Sequence, residues 1–148
     1  MTAEKKSNQI KYLTVDLIRR IHSVLQKRFM EMGEPIPPLT ASHDHEIENL
    51  ALLPQQAFYG IEAYPTLESK AAILFYKVNK SQIFPNGNKR LSLGLLFVFL
   101  DMNNKKLSIT ADEATAKALE LANTPAEDFE KVKIGLENWI KANLEDIT

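Results

Sequence analysis

Apolar residues in this chain recur at three- and four-residue spacing from Leu17 almost to the end, a period that a helix buries along one stripe. After Thr14, which has N-cap chemistry, Leu17, Ile18, Ile21, Val24, Leu25 and Phe29 share such a stripe, and Gly33 supplies a stop. The stretch Glu34 to His45 is rich in proline and reads as a loop, followed by a short helix over Glu46 to Leu53 that Pro54 ends. Gly60 to Pro65 is a second non-helical passage. Thr66 caps a third helix, which buries Leu67, Ala71, Leu74, Phe75 and Val78 and runs to about Lys80. A fourth helix begins near Asn88 and carries Leu91, Leu93, Leu95, Leu96, Val98 and Phe99. Because it is apolar nearly all round, it is expected at the centre of the fold. Asp101 to Asn104 ends it, with Leu107 to Ile109 briefly extended. Two Thr-x-x-Glu pairs, Thr110 with Glu113 and Thr124 with Glu127, match the capping box. They predict two last helices, the final one carrying Phe129, Val132, Ile134, Leu136, Trp139, Ile140 and Leu144. The fold class is therefore all-α, a single compact helical domain over residues 1–148, with residues 1–11 expected to be flexible.

Composition narrows the function. With 148 residues, of which 45% are hydrophobic, the chain has enough to bury one core and hardly two. A net charge of −1 offers neither a broad basic field for nucleic acid nor a polybasic run for lipid, so any anion site is local. There is no cysteine, hence no disulfide and no thiolate chemistry. The polar start, Met1 to Lys11, has no apolar signal region, and Leu91 to Leu100 is too short to span a bilayer, so the cytoplasm is the expected location.

The segment Pro85-Asn86-Gly87-Asn88-Lys89-Arg90 carries the chemistry. A glycine between polar residues, followed by Asn-Lys-Arg and an apolar helix, places backbone N–H groups, a helix N-terminus and two cations on one spot, which attracts phosphate. At Gly87 a sharp turn can aim successive N–H groups inward as a nest. Lys89 is a point charge, whereas Arg90 offers a planar fork. The plainer alternative is an ordinary Asn-Gly turn with two solvated cations, but cations in a first helical turn oppose the macrodipole, a misfit that a bound anion relieves.

The run Gln82-Ile83-Phe84-Pro85-Asn86-Gly87-Asn88-Lys89-Arg90 resembles the signature of the Fic/Doc (death-on-curing, Fido-domain) family. In that signature a histidine, a phenylalanine, an acidic residue and Gly-Asn-Lys-Arg or Gly-Asn-Gly-Arg follow in order. Tyr12-Leu13-Thr14, Leu52 to Gln56, Phe58-Tyr59-Gly60, Tyr64 to Leu67 with Lys70-Ala71-Ala72, and Phe97 to Asn103 extend the resemblance. Lys89 points to the Doc-like branch. The resemblance implies a helical fold that transfers AMP or phosphate from ATP or another nucleoside triphosphate to a protein hydroxyl, as toxin-type members do under the control of an antitoxin. It implies that Gly87, Asn88, Lys89 and Arg90 bind the phosphates, that Phe84 is the apolar anchor, and that Gly60 to Pro65 is a flap aligning the target protein.

Two positions depart from that pattern. Gln82 stands where the family has its general-base histidine, and an amide cannot accept a proton near neutral pH. Asn86 stands where an acidic residue holds magnesium, so Mg2+ is expected to bind weakly. Substitute bases are sought at His22, which more simply packs in the first helix, and at Glu62 and Tyr64 in the flap. His43 and His45 flank Asp44 but lack a third ligand at metal spacing, and helix-start polarity explains the cluster equally well. The family's inhibitory Ser/Thr-x-x-x-Glu-Gly/Asn motif is absent, so no restraint by an internal helix is expected. Three readings follow: a degenerate nucleotide-binding domain, an active transferase with an unusual base, or a toxin-like partner of an antitoxin.

Overall fold

The computed structural model describes residues 9–81, 84 and 87–147. Helix α1, Val15–Glu31, starts where Thr14 Oγ1 accepts from the Leu17 amide at 3.1 Å. It ends in a Schellman turn: Gly33 has φ 76°, its amide donates to Met30 O, and the Glu34 amide donates to Phe29 O at 2.7 Å. Both ends follow the sequence expectation, although Val24 is exposed and not on the buried stripe.

The expected loop before α2 is shorter than its prolines suggest. A 3-10 turn, Ala41–His43, is closed by a reciprocal bond in which the Thr40 amide donates to His43 Nδ1 at 3.1 Å, and α2 then covers Asp44–Leu52. Pro54 does not simply stop the helix. It occupies an early position of a second 3-10 turn, Leu53–Gln55, where its missing N–H costs nothing. Strands β1, Ala57–Phe58, and β2, Ile61–Glu62, form an antiparallel hairpin with Tyr59 and Gly60, both at positive φ, at its tip.

Helix α3, Leu67–Asn79, is capped by Thr66, whose Oγ1 accepts from the Ser69 amide while Ser69 Oγ accepts from the Thr66 amide. Every residue from Ser69 to Asn79 except Lys77 is buried. Helix α4, Asn88–Met102, lies at the centre as expected, packed against α1 and α3, and α3 is the more completely enclosed of the two. It lies against α4, α6 and the Leu53–Gln55 turn, whereas α4 keeps Phe97 largely exposed. Hydropathy misleads here because three polar residues of α3, Ser69, Lys70 and Asn79, are buried through specific partners.

After α4, Asn103 and Asn104 turn the chain, Asn104 at φ 61°. Asn103 also accepts from the Lys11 amide at 2.8 Å and donates to Lys11 O at 3.0 Å, and Ile10 packs against the core. Residues 1–8 lie outside the described chain. Strand β3 is Lys105–Leu107, slightly earlier than predicted, and pairs antiparallel with β4, Leu144–Asp146. Leu144 therefore belongs to a strand and not to the last helix.

Helix α5, Ala111–Ala122, has the expected Thr110/Glu113 capping box. The second box does not form. Thr124 Oγ1 donates backwards to Leu121 O at 2.7 Å, a 3-10 turn over Ala126–Asp128 intervenes, and α6 runs Phe129–Asn143 from Asp128. Pro125 has extended dihedrals and itself becomes the N-cap of that turn, which displaces Thr124 from the role.

Candidate functional site

The N-terminus of α4 opens into a cavity of about 790 Å3 lined by Glu34, Ile36, Asn79, the run Gly87 to Arg90, Leu93 and the α5 residues Thr115, Ala118 and Leu119. Gly87 is the N-cap and has no side chain with which to cap α4. The Asn88, Lys89 and Arg90 amides find no acceptor among the described residues, the condition that makes a helix N-terminus an anion site. Gly87 itself differs from expectation. Its φ is −128°, so it needs no left-handed freedom, and its amide donates to Phe84 O at 3.2 Å, so that N–H closes a turn and does not point into a nest.

The four cradle residues divide their work. Lys89 is exposed and makes no ion pair among the described residues. Asn88 spends its Nδ2 on Ser81 O, which ties the end of α3 to the start of α4. Arg90 lies against α1: its guanidinium stacks on Phe29 at 4.4 Å and donates to Glu34 Oε2 at 2.8 Å. Phe29 and Glu34 are the two residues joined by the outer, wider-spanning hydrogen bond of the Schellman turn, so the end of α1 presents ring and carboxylate together to Arg90. Glu34 is a carboxylate at the cavity wall that the missing inhibitory motif gave no reason to expect.

Phe84 is 1% exposed and its ring lies 6.0 Å from that of His22, itself buried. Phe84 is thus a core anchor for the motif, the packing role and not a chemical one. Burial first, then the Arg19 and His43 charges, hold the His22 pKa below its ordinary value. Folded His22 stays neutral while the unfolded chain takes up a proton from about pH 6.5 downward, so its contribution to stability is held above that pH and lost as pH falls through the lowered folded value. Denaturant midpoints at pH 7.5 and 5.0 should fall more for the wild type than for His22→Leu. Equal falls would show that His22 is not buried neutral.

Gln82, Ile83, Pro85 and Asn86 lie outside the described residues. The substitute bases do not gather at the cavity. Glu62 pairs with buried Lys70 at 3.0 Å. Tyr64 sits beside α6, its ring 5.6 Å from Lys133 Nζ, and burial followed by the Glu130 charge raises its pKa. His43 caps the turn before α2, and His45 Nε2 is 3.5 Å from Asn49 Nδ2.

The Fic/DOC family model matches residues 12–100. The chain belongs to the Fic/DOC family. Toxin Doc of Mycolicibacterium smegmatis is 36% identical over 73 residues, a match covering 49% of this chain and 55% of that protein. The chain therefore spans about half the length of that relative. No solved structure matches.

In this Fic/DOC chain the described part of the cavity wall offers a single carboxylate toward a metal ion. Glu34 is the one carboxylate on the cavity wall and is already paired with Arg90, and no group of three or more His, Asp or Glu side chains converges among the described residues. No described helix is long and apolar enough to cross a membrane. Sequence reasoning missed Glu34 and Asn79. Glu34 carries one legible signal, its place directly after the helix-stop glycine, whereas Asn79 reads as a polar residue near a helix end.

Proposed function

We propose that this Fic/DOC domain binds the phosphates of ATP or another nucleoside triphosphate at the α4 N-terminus and transfers AMP or phosphate weakly or not at all. The observation that carries the reading is the start of α4, uncapped by any described side chain and with Lys89 in no ion pair among the described residues, opening into a cavity large enough for a nucleotide. The resemblance assigns proton removal to the position of Gln82, which cannot do it, and none of His22, Glu62 or Tyr64 lines the cavity. That distribution favours the degenerate domain over an active transferase with a displaced base. The toxin relative supports a toxin-type reading of this chain, and that reading places it in the cytoplasm with an antitoxin as partner. The exposed hairpin residues Phe58, Tyr59 and Ile61 suit contact with a target protein.

Calorimetric titration with ATP tests the reading, and absence of binding by ATP, GTP and UTP at millimolar concentration overturns it. Arg90→Ala should weaken ATP about tenfold, the worth of one charge-assisted bond. Glu34→Gln should strengthen it severalfold at most, because a half-exposed ion pair competing for Arg90 contributes about 1 kcal/mol or less. Weaker binding by Glu34→Gln would show that Arg90 does not meet the phosphates.

A further inference from the structure

Two histidines, His22 and His43, meet where α1 packs against the turn before α2. His22 is buried on α1 with its ring 6.0 Å from that of Phe84. His43 closes the Ala41–His43 turn, its Nδ1 accepting from the Thr40 amide at 3.1 Å. An imidazole nitrogen accepts only while it carries no proton, so that bond exists only in the neutral ring. Glu or Gln is the usual residue at this place of a capping box, and neither loses its acceptor near neutral pH. Thr40 is gripped from its other side as well: its carbonyl accepts from Arg19 Nη2 at 2.8 Å, and Arg19 also pairs with Asp44. Because Arg19 stands one helical turn before His22, the Thr40 to Asp44 segment, α1 and the ring that supports Phe84 are joined through these few contacts.

Protonation strikes this junction at two points. A proton on His43 Nδ1 turns the acceptor into a donor and leaves the Thr40 N–H without its partner. A proton on His22 puts a charge into an apolar contact, where Arg19 and His43 are the charges that act on it, both positive once His43 is protonated. The other charged groups of the region are engaged elsewhere. Asp44 is paired with Arg19, Glu46 lines a separate groove between α2 and α3, and His45 lies beside Asn49. Helix α4 meets this part of α1 through Gly94, which lies against Ile21 and Leu25, while its Arg90 goes to Phe29 and Glu34 further along. Phe84 connects the junction to the phosphate site: its carbonyl accepts from the Gly87 amide at 3.2 Å, and Gly87 O accepts from the Leu91 amide at 2.8 Å in the first turn of α4.

We propose that His22 and His43 form a pH-sensitive latch on the motif: with both rings neutral the junction holds Phe84 and the start of α4, and acidification loosens them and weakens phosphate binding. The effect on ligand rests on the phosphate-binding reading above, whereas the latch itself does not. Hydrogen exchange of the Gly87 and Leu91 amides, corrected for its intrinsic pH dependence, reads the latch with no nucleotide present. Between pH 7.5 and 5.5 their protection should fall about tenfold in the wild type, the loss expected when a group with the ordinary imidazole pKa of about 6.5 must stay neutral. His22→Leu combined with His43→Gln, which keeps an acceptor for the Thr40 amide, should hold its protection over the same range. ATP affinity should follow, the wild type losing about tenfold more than the double variant, a comparison in which the protonation of ATP itself cancels. Should the double variant fail to fold, His43→Gln alone decides, and its fall must be smaller than that of the wild type. Equal falls in wild type and variant overturn the latch. A fall in protection confined to the wild type, with no ATP bound at either pH, supports the latch and overturns the phosphate-binding reading.

Discussion

Gln82→His combined with Asn86→Asp should raise transfer from ATP to protein by about 10² to 10⁴, the usual worth of general-base assistance, over a wild type at or near background. The motif around these positions is otherwise supported. Phe84 is anchored in the core, and Asn88 holds the start of α4 to Ser81. A histidine pKa of about 6.5 suits proton abstraction at neutral pH. The measurement is label transfer from ATP carrying label in the α or the γ position, with the wild type, each single variant and the double variant compared on a cell lysate. Label from the α position indicates AMP transfer, and label from the γ position indicates phosphate transfer. Strong wild-type transfer that ignores Gln82→Ala would promote an active enzyme with a different base. Silence of the double variant with ATP bound would leave the binding domain as the reading.

Lys70→Ala should cost about 3 to 5 kcal/mol of stability, lowering the melting temperature by roughly 10 °C for a domain of this size. Lys70 is 1% exposed. Its Nζ donates to Pro54 O at 3.1 Å and Glu62 Oε1 at 3.0 Å and lies 5.6 Å from the centre of the Tyr12 ring. Truncation empties the space of the stem beyond Cβ and leaves the Pro54 carbonyl without its donor, and both terms are large in a core. The ion pair itself is the smaller part, because Glu62 is half exposed. Lys70→Met keeps the stem and isolates the polar term. It should lose less stability than Lys70→Ala, while the amides of the Ala57–Glu62 hairpin exchange hydrogen faster. A loss below about 1 kcal/mol for Lys70→Ala would show that the buried ammonium is not what holds the hairpin to α3.

Helix ends were legible wherever the stop or start is local. Thr14, Thr66, Thr110 and Gly33 act within a few residues of themselves, so their chemistry stands in the sequence as it stands in the fold. Thr124 shows the limit of that logic. Its spacing to Glu127 is right, but Pro125 redirects the chain and the hydroxyl turns back to Leu121 O. Strand β4 was illegible because Leu144 continues the helical spacing of α6, and only pairing with Lys105–Leu107 draws residues 144–146 into an extended segment.

The sequence by itself determined the helical class, most helix boundaries, the family motif and the α4 N-terminus with its two cations, because periodicity, caps and short motifs depend on neighbours along the chain. Tertiary structure alone decided that α3 lies deeper than α4, that Glu34 takes Arg90, that Lys70 is buried beneath the hairpin and that the Asn79 amide donates to Ala118 O. Each of these joins residues from separate elements. Burial and charge pairing act through space, and a polar residue's partner is set by how the helices pack and not by its spacing in the chain.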